Sequence, residues 1–450
     1  MASPARRPSR AKDSVPNLAH TSSNEPLHSN GFVNTHHVRT GIVLAITAVL
    51  AFVATFAGAS YLDFFNTVKS TGVKTIAQKG QKSTEIVDPN SGQPINIVLM
   101  GQDTRDGSTN SSIGGGTMAG EHNADTTMIV QISADRSFVN LVSIPRDSMV
   151  NAPSCETTKG TMASRGTVMF NSIFSAAYTY GGDISSAASC TTAALASLTG
   201  LDLSLFVVAD FQGLKKMIDA IGGVSLCIPQ DVNDNYTGLK LTKGLHHLNG
   251  TTATQYARLR HGIGDGSDIM RTVRQQYLIK ALIAQVLSKN FLTNSDQLYQ
   301  LVHTGVSALQ MSEQLANVNT LMGLAYSMRN FSTSNLYART VPTEAYPVDA
   351  NRVQWASGAT TLWTKMKANK PIALQTSTTK SSKKKSSSTK GKVNSKTGLI
   401  TESDGTLRDP KTGGTVDPET GVIKDPDTGY SMGYADQYLA ATVCAVSAQK

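Results

Sequence analysis

Residues Ile42–Leu62 read IVLAITAVLAFVATFAGASYL, 21 positions without a formal charge. A run of that length crosses a bilayer as a helix, because inside lipid a lone segment can satisfy its backbone only by helical hydrogen bonds. The rest of the chain is thereby divided between two compartments. Arg6, Arg7, Arg10, Lys12 and Arg39 precede the run, against Asp13 and Glu25. The positive-inside rule keeps that leader in the cytoplasm and places the residues after Asp63 outside. A cleaved signal peptide is the alternative, with Ala57-Gly58-Ala59 as a small-residue cleavage site. The long run and a leader of roughly 40 residues favour a retained anchor.

Charge is unevenly spread. The chain carries a formal +9, yet Pro94–Asn290 holds 15 basic and 15 acidic residues, and Lys380–Lys396 holds seven lysines and no acid. The basic balance belongs to the flanks, and no nucleic-acid partner is expected. The four cysteines, Cys155, Cys190, Cys227 and Cys444, form no CxxC, which argues against a zinc cluster or a redox motif. Outside the membrane an even count implies disulfides. Cys155 with Cys190 is the first pairing, since both follow one strand and could close a single loop-and-helix segment. Cys227 with Cys444 would then tie the C-terminus back.

Residues 1–40, rich in Ser, Pro, Asn and His, read as a disordered cytoplasmic tail, 41–62 as the anchor and 63–93 as an extracellular stalk. Strands are expected at Ile95–Gly101, Thr127–Ser133 and Phe138–Ile144, the last two forming a hairpin turned at Ala134-Asp135-Arg136. Helical patterns follow at Val168–Tyr180 and Ile184–Leu198, then a strand at Leu205–Ala209 and a helix at Gly213–Ile221. The glycine pair Gly222-Gly223 permits a sharp turn into VSLCI. Further helices fit the stretch leading to Arg258, Asp268–Ser288, Asp296–Ala308 and Ser312–Met328, and Asn335–Pro342 reads as a last strand. Strands alternating with helices give the fold class α/β: a three-layer domain, 94–372, with a central mixed β-sheet flanked by helices, on a single N-terminal transmembrane helix. Residues 373–429 carry a basic stretch and three DPxTG units, at Asp409–Gly413, Asp417–Gly421 and Asp425–Gly429. An extended spacer is the preferred reading and a small β-turn array the alternative. Residues 430–450 form a C-terminal extension.

Four blocks concentrate arginine and aspartate at the ends of apolar elements: GQDTRDG (Gly101–Gly107), NADTTMIV (Asn123–Val130), SIPRD (Ser143–Asp147) and YARLRHGIGDGSDIMRTVRQQ (Tyr256–Gln276). Asp103 and Arg105 follow a buried-type strand, where α/β sheets bind ligands. Asp125 precedes the next strand, so the two carboxylates could share a Mg²⁺ with substrate phosphates; taken singly, each would be a turn cap. Pro145 cannot donate in a ladder, so its strand stops there and Arg146 is set at the sheet edge. A surface Arg146–Asp147 pair is the bland reading. Arg258 and Arg260 close one helix, while Asp268, Arg271 and Gln275 fall at i, i+3 and i+7 on the next, with Arg274 beside them. A solvated charged face is the usual account of such spacing. Here Val273, Tyr277, Leu278 and Leu282 bury one side, and cations predominate on the other. Gathered like charges repel unless an anion is shared, and guanidinium forks fit phosphate oxygens. The blocks therefore predict a pyrophosphate site. There is no P-loop, GxSxG or HExxH pattern, and His246, His247 and His261 lack a metal-ligand pattern.

At these blocks, and at DAIGGVSLCIP, the chain resembles the LytR–CpsA–Psr family of bacterial cell-envelope proteins over about Pro94–Asn290, extending toward Trp363. The resemblance implies a phosphotransferase that moves a glycopolymer from a polyprenyl-pyrophosphate carrier to peptidoglycan. It further implies Mg²⁺ on Asp103 and Asp125, and a pyrophosphate clamp of Arg105, Arg146, Arg258, Arg260, Arg274 and Gln275. Asp268 and Arg271 would order their helix, Arg146 and Asp103 would serve catalysis, and the lipid would lie in an apolar pocket of the core. Where many relatives have Arg-Ser or Arg-Ala before the aspartate of ADT, this chain has Asn123-Ala124, after an unusually long loop, Asp106–His122. Hydrolysis of the lipid-linked glycan, or a non-catalytic envelope receptor, are the competing functions.

Overall fold

The computed structural model describes residues 18–80, 92–104, 122–260, 266–288, 295–373 and 393–445. The chain divides into two units, Met1–Asp63 and Phe64–Lys450. In the first, the backbone is helical from Leu18, inside the stretch expected to be disordered, and the helix is Leu18–Ser70. Extending a helix costs far less than nucleating one. Among the described residues one helix, Ile42–Ser70, is long and apolar enough to cross a membrane.

The second unit is built on a seven-stranded mixed sheet. Its spatial order is Gly72–Val73, Gln310–Ser312, Leu205–Ala209, Ile95–Asp103, Asn123–Ile132, Val139–Ile144, Leu336–Thr340. Four of these strands, Ile95–Asp103, Val139–Ile144, Leu205–Ala209 and Leu336–Thr340, run the same way, as their pairings require. Alternate residues point to opposite faces. Val98, Met100, Ile129, Val142 and Ile144 pack against the helices Asn171–Gly181, Ile184–Thr199 and Gly358–Lys367. Met128, Val130, Val139 and Leu141 meet Ile279 and Ile283 of the long helix Asp268–Ser288 and Met328 beyond the helix Val318–Ser327. The result is the three-layer α/β architecture expected.

The local punctuation follows the residue chemistry. Asp183, Asp210 and Asn249 each accept a backbone N–H in the first turn of the helix they precede, which satisfies donors that the helix itself cannot. Several expectations are corrected. The stalk is not free: its Gly72–Val73 pairs with Met311–Ser312, and Val68, Thr71 and Gln78 are buried. Ser312 belongs to the strand Gln310–Ser312, and the following helix begins only at Val318. Val168 and Met169 are strand, paired with Val150 and Met149. Both disulfides form, Cys155–Cys190 and Cys227–Cys444.

The DPxTG units are not a spacer. They are the turns of a five-stranded antiparallel meander: Ile400–Thr401, Leu407–Arg408, Thr415–Val416, Val422–Lys424 and Ser431–Tyr434. In each unit the aspartate accepts the N–H of the threonine, and the glycine returns its N–H to the aspartate carbonyl. The glycines Gly413, Gly421 and Gly429 stand at φ 72, 67 and 73°, where a side chain would be strained. Asn394–Gly398 makes the same turn. The meander and the residues after it dock on the α/β layer through Cys227–Cys444 and an Arg339–Asp425 pair at 3.6 Å, and on the long helix through a Lys280–Asp436 contact.

Candidate active site

All four co-directional strands end on one side of the sheet. Asp103 closes the first, and Arg146 stands two residues beyond Ile144 of the second. Asp125 lies near the start of the antiparallel strand between them. Its placement depends on a register shift. Gly101 pairs with Thr126 but Gln102 with Ala124, so Asp125 is the extra residue of a β-bulge. Such an insertion re-aims a side chain at a sheet end. Gly101 has to be glycine here, because a Cβ would stand 2.9 Å from that of Thr126.

Asp125 reaches two arginines. Its Oδ1 is 2.9 Å from Arg146 Nη1 and its Oδ2 is 3.8 Å from Arg271 Nη1. Arg146 Nε is 3.1 Å from Asp268 Oδ1 and 3.7 Å from Asp147 Oδ2. Arg271 Nη2 closes the circuit on Asp268. Asp268 opens the long helix, where the helix dipole favours a negative charge. Burial opposes ionisation of Asp125, but Arg271, Arg146 and Arg260 together outweigh it and hold its pKa below the usual carboxylate value. For Asp268 burial wins: its pKa is raised despite Arg271 and Arg146, with Asp147 and Asp125 adding repulsion. Burial likewise lowers Arg271, whereas Asp125 and Asp268 overcome burial at Arg146 and raise it. Acids thus fix the guanidinium planes before any anion arrives, which is what preorganised electrostatic stabilisation requires.

The sequence-derived residues do not all take the places expected. Arg146, Arg260, Asp125, Asp268 and Arg271 act on one another. Arg274 is fully buried, and its Nη2 donates to the carbonyl of Leu259. Its Nε and Nη1 have no hydrogen-bond partner among the described residues. Gln275 Nε2 donates to the carbonyl of Ala257 at 3.1 Å. Arg274 and Gln275 therefore hold the segment that carries Arg258 and Arg260, while Arg271 takes the place in the cluster that was expected of Arg274. Helical rotation is the reason: Asp268, Arg271 and Gln275 share a stripe, and Arg274 is turned from it toward the interior beside Tyr256. Arg258 stacks over the Phe211 ring at 4.6 Å. Arg105, His261 and the loop up to residue 121 lie outside the described residues.

Two contributors escaped the sequence reading. Arg352, on the hairpin strand Asp349–Trp355, brings Nη1 to 3.1 Å from Asp147 Oδ1. His122 stacks on Tyr178 with ring centroids 3.7 Å apart and bonds through Nδ1 to the amide of Gln102. It precedes Asn123, the strand partner of Asp103. Neither carried a signal in its own neighbourhood, since one partner is over 200 positions away and the other is a lone histidine after a loop.

The donor set limits what metal the site could hold. Both oxygens of Asp125 face arginines, Asp103 sits across the bulge on the adjacent strand, and among the described residues no three acids, histidines or cysteines are grouped so as to hold a metal ion. A resident cage is not built. A Mg²⁺ held by one or two carboxylates and completed by substrate phosphates fits the same donors.

The LytR_cpsA_psr family model matches residues 61–370. The cell wall biosynthesis protein LcpA of Corynebacterium glutamicum is 26% identical over 265 residues, 55% of this chain and 49% of LcpA. The polyisoprenyl-teichoic acid–peptidoglycan teichoic acid transferase TagU of Enterococcus faecalis is 27% identical over 271 residues, 59% of this chain and 76% of TagU. The structure of a LytR-Csp2A-Psr enzyme from Actinomyces oris is similar with a TM-score of 0.45 and 20% identity, over 65% of this chain and 94% of that one. The chain thus spans about half the length of LcpA.

Proposed function

This chain belongs to the LytR_cpsA_psr family, and from that premise we propose that it is a membrane-anchored phosphotransferase. It moves a glycopolymer from a polyprenyl-pyrophosphate carrier to peptidoglycan, with its N-terminus in the cytoplasm and the domain outside. One observation carries the reading: Arg146, Arg260 and Arg271 gather on Asp125 and Asp268 at the end of the sheet where the strand of Asp103 closes. Gly72–Val73 runs opposite to Ile95–Asp103, as the intervening pairings require, so Phe64–Ser70 leads in at the end that bears Asp103 and Arg146. The apolar layer that begins at Ala124 and Ile144 lies directly behind the cluster, where a polyprenyl chain would lie.

In this reading Arg146, Arg260 and Arg271, together with Arg105 and Arg258, take the pyrophosphate. A hydroxyl of the wall acceptor attacks the phosphorus that bears the sugar, and the bond from that phosphorus to the bridging oxygen breaks. Polyprenyl phosphate leaves with the electron pair, and the new phosphodiester joins polymer to wall. Positioning and charge neutralisation carry such a step more than covalent help does. Asp103 is the proposed acceptor of the hydroxyl proton. Mg²⁺, shared between Asp103, Asp125 and the phosphates, would neutralise charge on the pyrophosphate.

The test uses the full chain in detergent with Mg²⁺, a polyprenyl-pyrophosphoryl glycan and soluble peptidoglycan fragments. Mass spectrometry is expected to find a phosphodiester-linked product and one polyprenyl phosphate per transfer. Free glycan phosphate in its place would make the protein a hydrolase. Binding with no covalent product would make it a receptor.

A further inference from the structure

One cavity lies away from the arginine cluster, against the C-terminal meander. It has a volume of about 640 Å³ and opens between the C-terminal meander and the outer half of the long helix. One wall is the α/β layer, with Tyr277, Lys280 and Tyr337; the other is the extension, with Lys411, Tyr434 and Tyr438. Neither wall alone encloses it, so the docked repeat creates a cavity of the size that small ligands occupy.

The lining has a definite chemistry. Tyrosines offer flat apolar faces with polar rims, and hydroxyl and amide side chains such as Thr412, Ser288 and Gln285 fill the spaces between them. Cations are concentrated here as well. Lys411 lies 5.7 Å from the Tyr337 ring centre and donates to the carbonyl of Ser334 at 2.8 Å. Lys280 meets Asp436, and the buried Arg339 leaves its Nε without a partner among the described residues. Burial and then the neighbouring charge of Lys280 lower the pKa of Lys411, so the two ammonium groups act on one another across the cavity. Asp409 and Asp436 also line the cavity and act against that effect, so the three cations Lys280, Arg339 and Lys411 face two carboxylates and one positive charge is left in excess for an acidic ligand group. Tyrosine faces, scattered hydroxyls and an excess of positive charge together describe a surface for a sugar chain that carries acidic groups.

We propose that this cavity is a saccharide-binding subsite for a negatively charged oligosaccharide segment, and that the C-terminal repeat serves to build it. The inference rests on the transferase reading only for the source of the sugar, which is either the polymer being moved or the wall that receives it. In both cases the subsite would hold chain beyond the reacting residue, and the long helix would link it to the cluster: Gln276, next to Gln275, faces Gly433 of the last meander strand.

The test is calorimetric titration of the full chain in detergent with three lipid-free probes. These are a soluble peptidoglycan tetrasaccharide with free carboxylates, a phosphodiester-linked glycan fragment and a neutral glucan of equal length. One acidic probe is expected to bind at least about tenfold more tightly than the glucan, and which one identifies the source. Lys411→Gln, at an exposed position, and Tyr337→Leu should each weaken it by about tenfold or more without moving the thermal midpoint by more than a degree or so. In the transfer assay they should raise KM for long substrates and leave kcat and truncated substrates unchanged. Equal binding of all three probes, or affinity untouched by both variants, overturns the proposal. Saccharide binding that persists in a protein without transfer activity would instead retire the transferase reading and leave the subsite standing.

Discussion

Asp125 and Asp268 pose a test that distances alone would get wrong. Each carboxylate lies against the same two arginines, and the Asp268 contacts are the shorter set. Contact geometry therefore ranks Asp268 at least equal in stabilising the cluster. The electrostatics reverse the order. Asp125 keeps its charge more readily in the fold than in the unfolded chain, whereas Asp268, crowded by burial and by Asp147 and Asp125, keeps it less readily. Asp125→Asn breaks a largely buried pair and should cost about 3 kcal/mol, the lower end for such losses because a fifth of its side chain is exposed. In Asp268→Asn the relief of burial offsets most of the lost attraction, and the cost should stay under about 1 kcal/mol. At about 2 °C per kcal/mol for a domain of this size, thermal midpoints at pH 7 should fall by about 6 °C and by 2 °C or less. The pH dependence adds a check on sign. The Asp125 contribution is complete above its unfolded value of 3.8 and is lost as pH falls below it through the lowered folded pKa. The unfavourable Asp268 contribution is complete above its raised folded pKa and vanishes as pH falls from there to 3.8. Circular dichroism melts of the full chain in detergent between pH 3 and 7 would read both. Equal losses for the two variants, or a larger one for Asp268→Asn, would refute the assignment of burial as the dominant influence at Asp268.

Three further outcomes follow from the same coordinates. Arg146→Lys keeps a positive charge but cannot span Asp125 and Asp268 with one planar fork, so transfer should drop roughly 100-fold or more, about 3 kcal/mol, in single-turnover assays; near-normal rates would remove the cluster from the chemistry. Mg²⁺ should bind the chain weakly alone and about tenfold or more tightly once inorganic pyrophosphate is present, and tight calorimetric binding without pyrophosphate would contradict an ion shared with substrate. Removing the Cys227–Cys444 bond, whose partners are 217 positions apart, frees more unfolded-chain entropy than removing Cys155–Cys190, 35 apart. Chain entropy sets upper limits of about 5 and about 4 kcal/mol. The double variant Cys227→Ala/Cys444→Ala should therefore melt at the lower temperature and lose amide protection at Ser431–Tyr434, and an unchanged exchange pattern there would show that docking does not need the bond.

The parts of this molecule that were legible in its sequence are those decided by near neighbours. The twofold alternation that sends Val98 and Met100 to one face was visible because a strand repeats every two residues wherever it sits. Pro145 stopped its strand at Ile144, and Asn249 capped its helix, through atoms one to three residues away. What escaped depended on pairings between remote segments. Nothing around Arg352 marks it as a partner of Asp147, because the hairpin that delivers it is placed by remote pairings such as the backbone bond from Val353 to Asp147. Spacing put Arg271 and Arg274 near one stripe, but only the position of Leu259 decides which of them turns inward. The DPxTG units show the limit most sharply. Each turn is locally determined, down to its capping aspartate and its positive-φ glycine, yet strands of two to four residues are too short to hold a sheet by themselves. Their order comes from outside the repeat: Met432 and Tyr434 are buried, the latter against Tyr277, and Cys444 is tied to Cys227. A spacer and a folded wall of the domain can share the same eight-residue motif, and the surface available for docking selects between them.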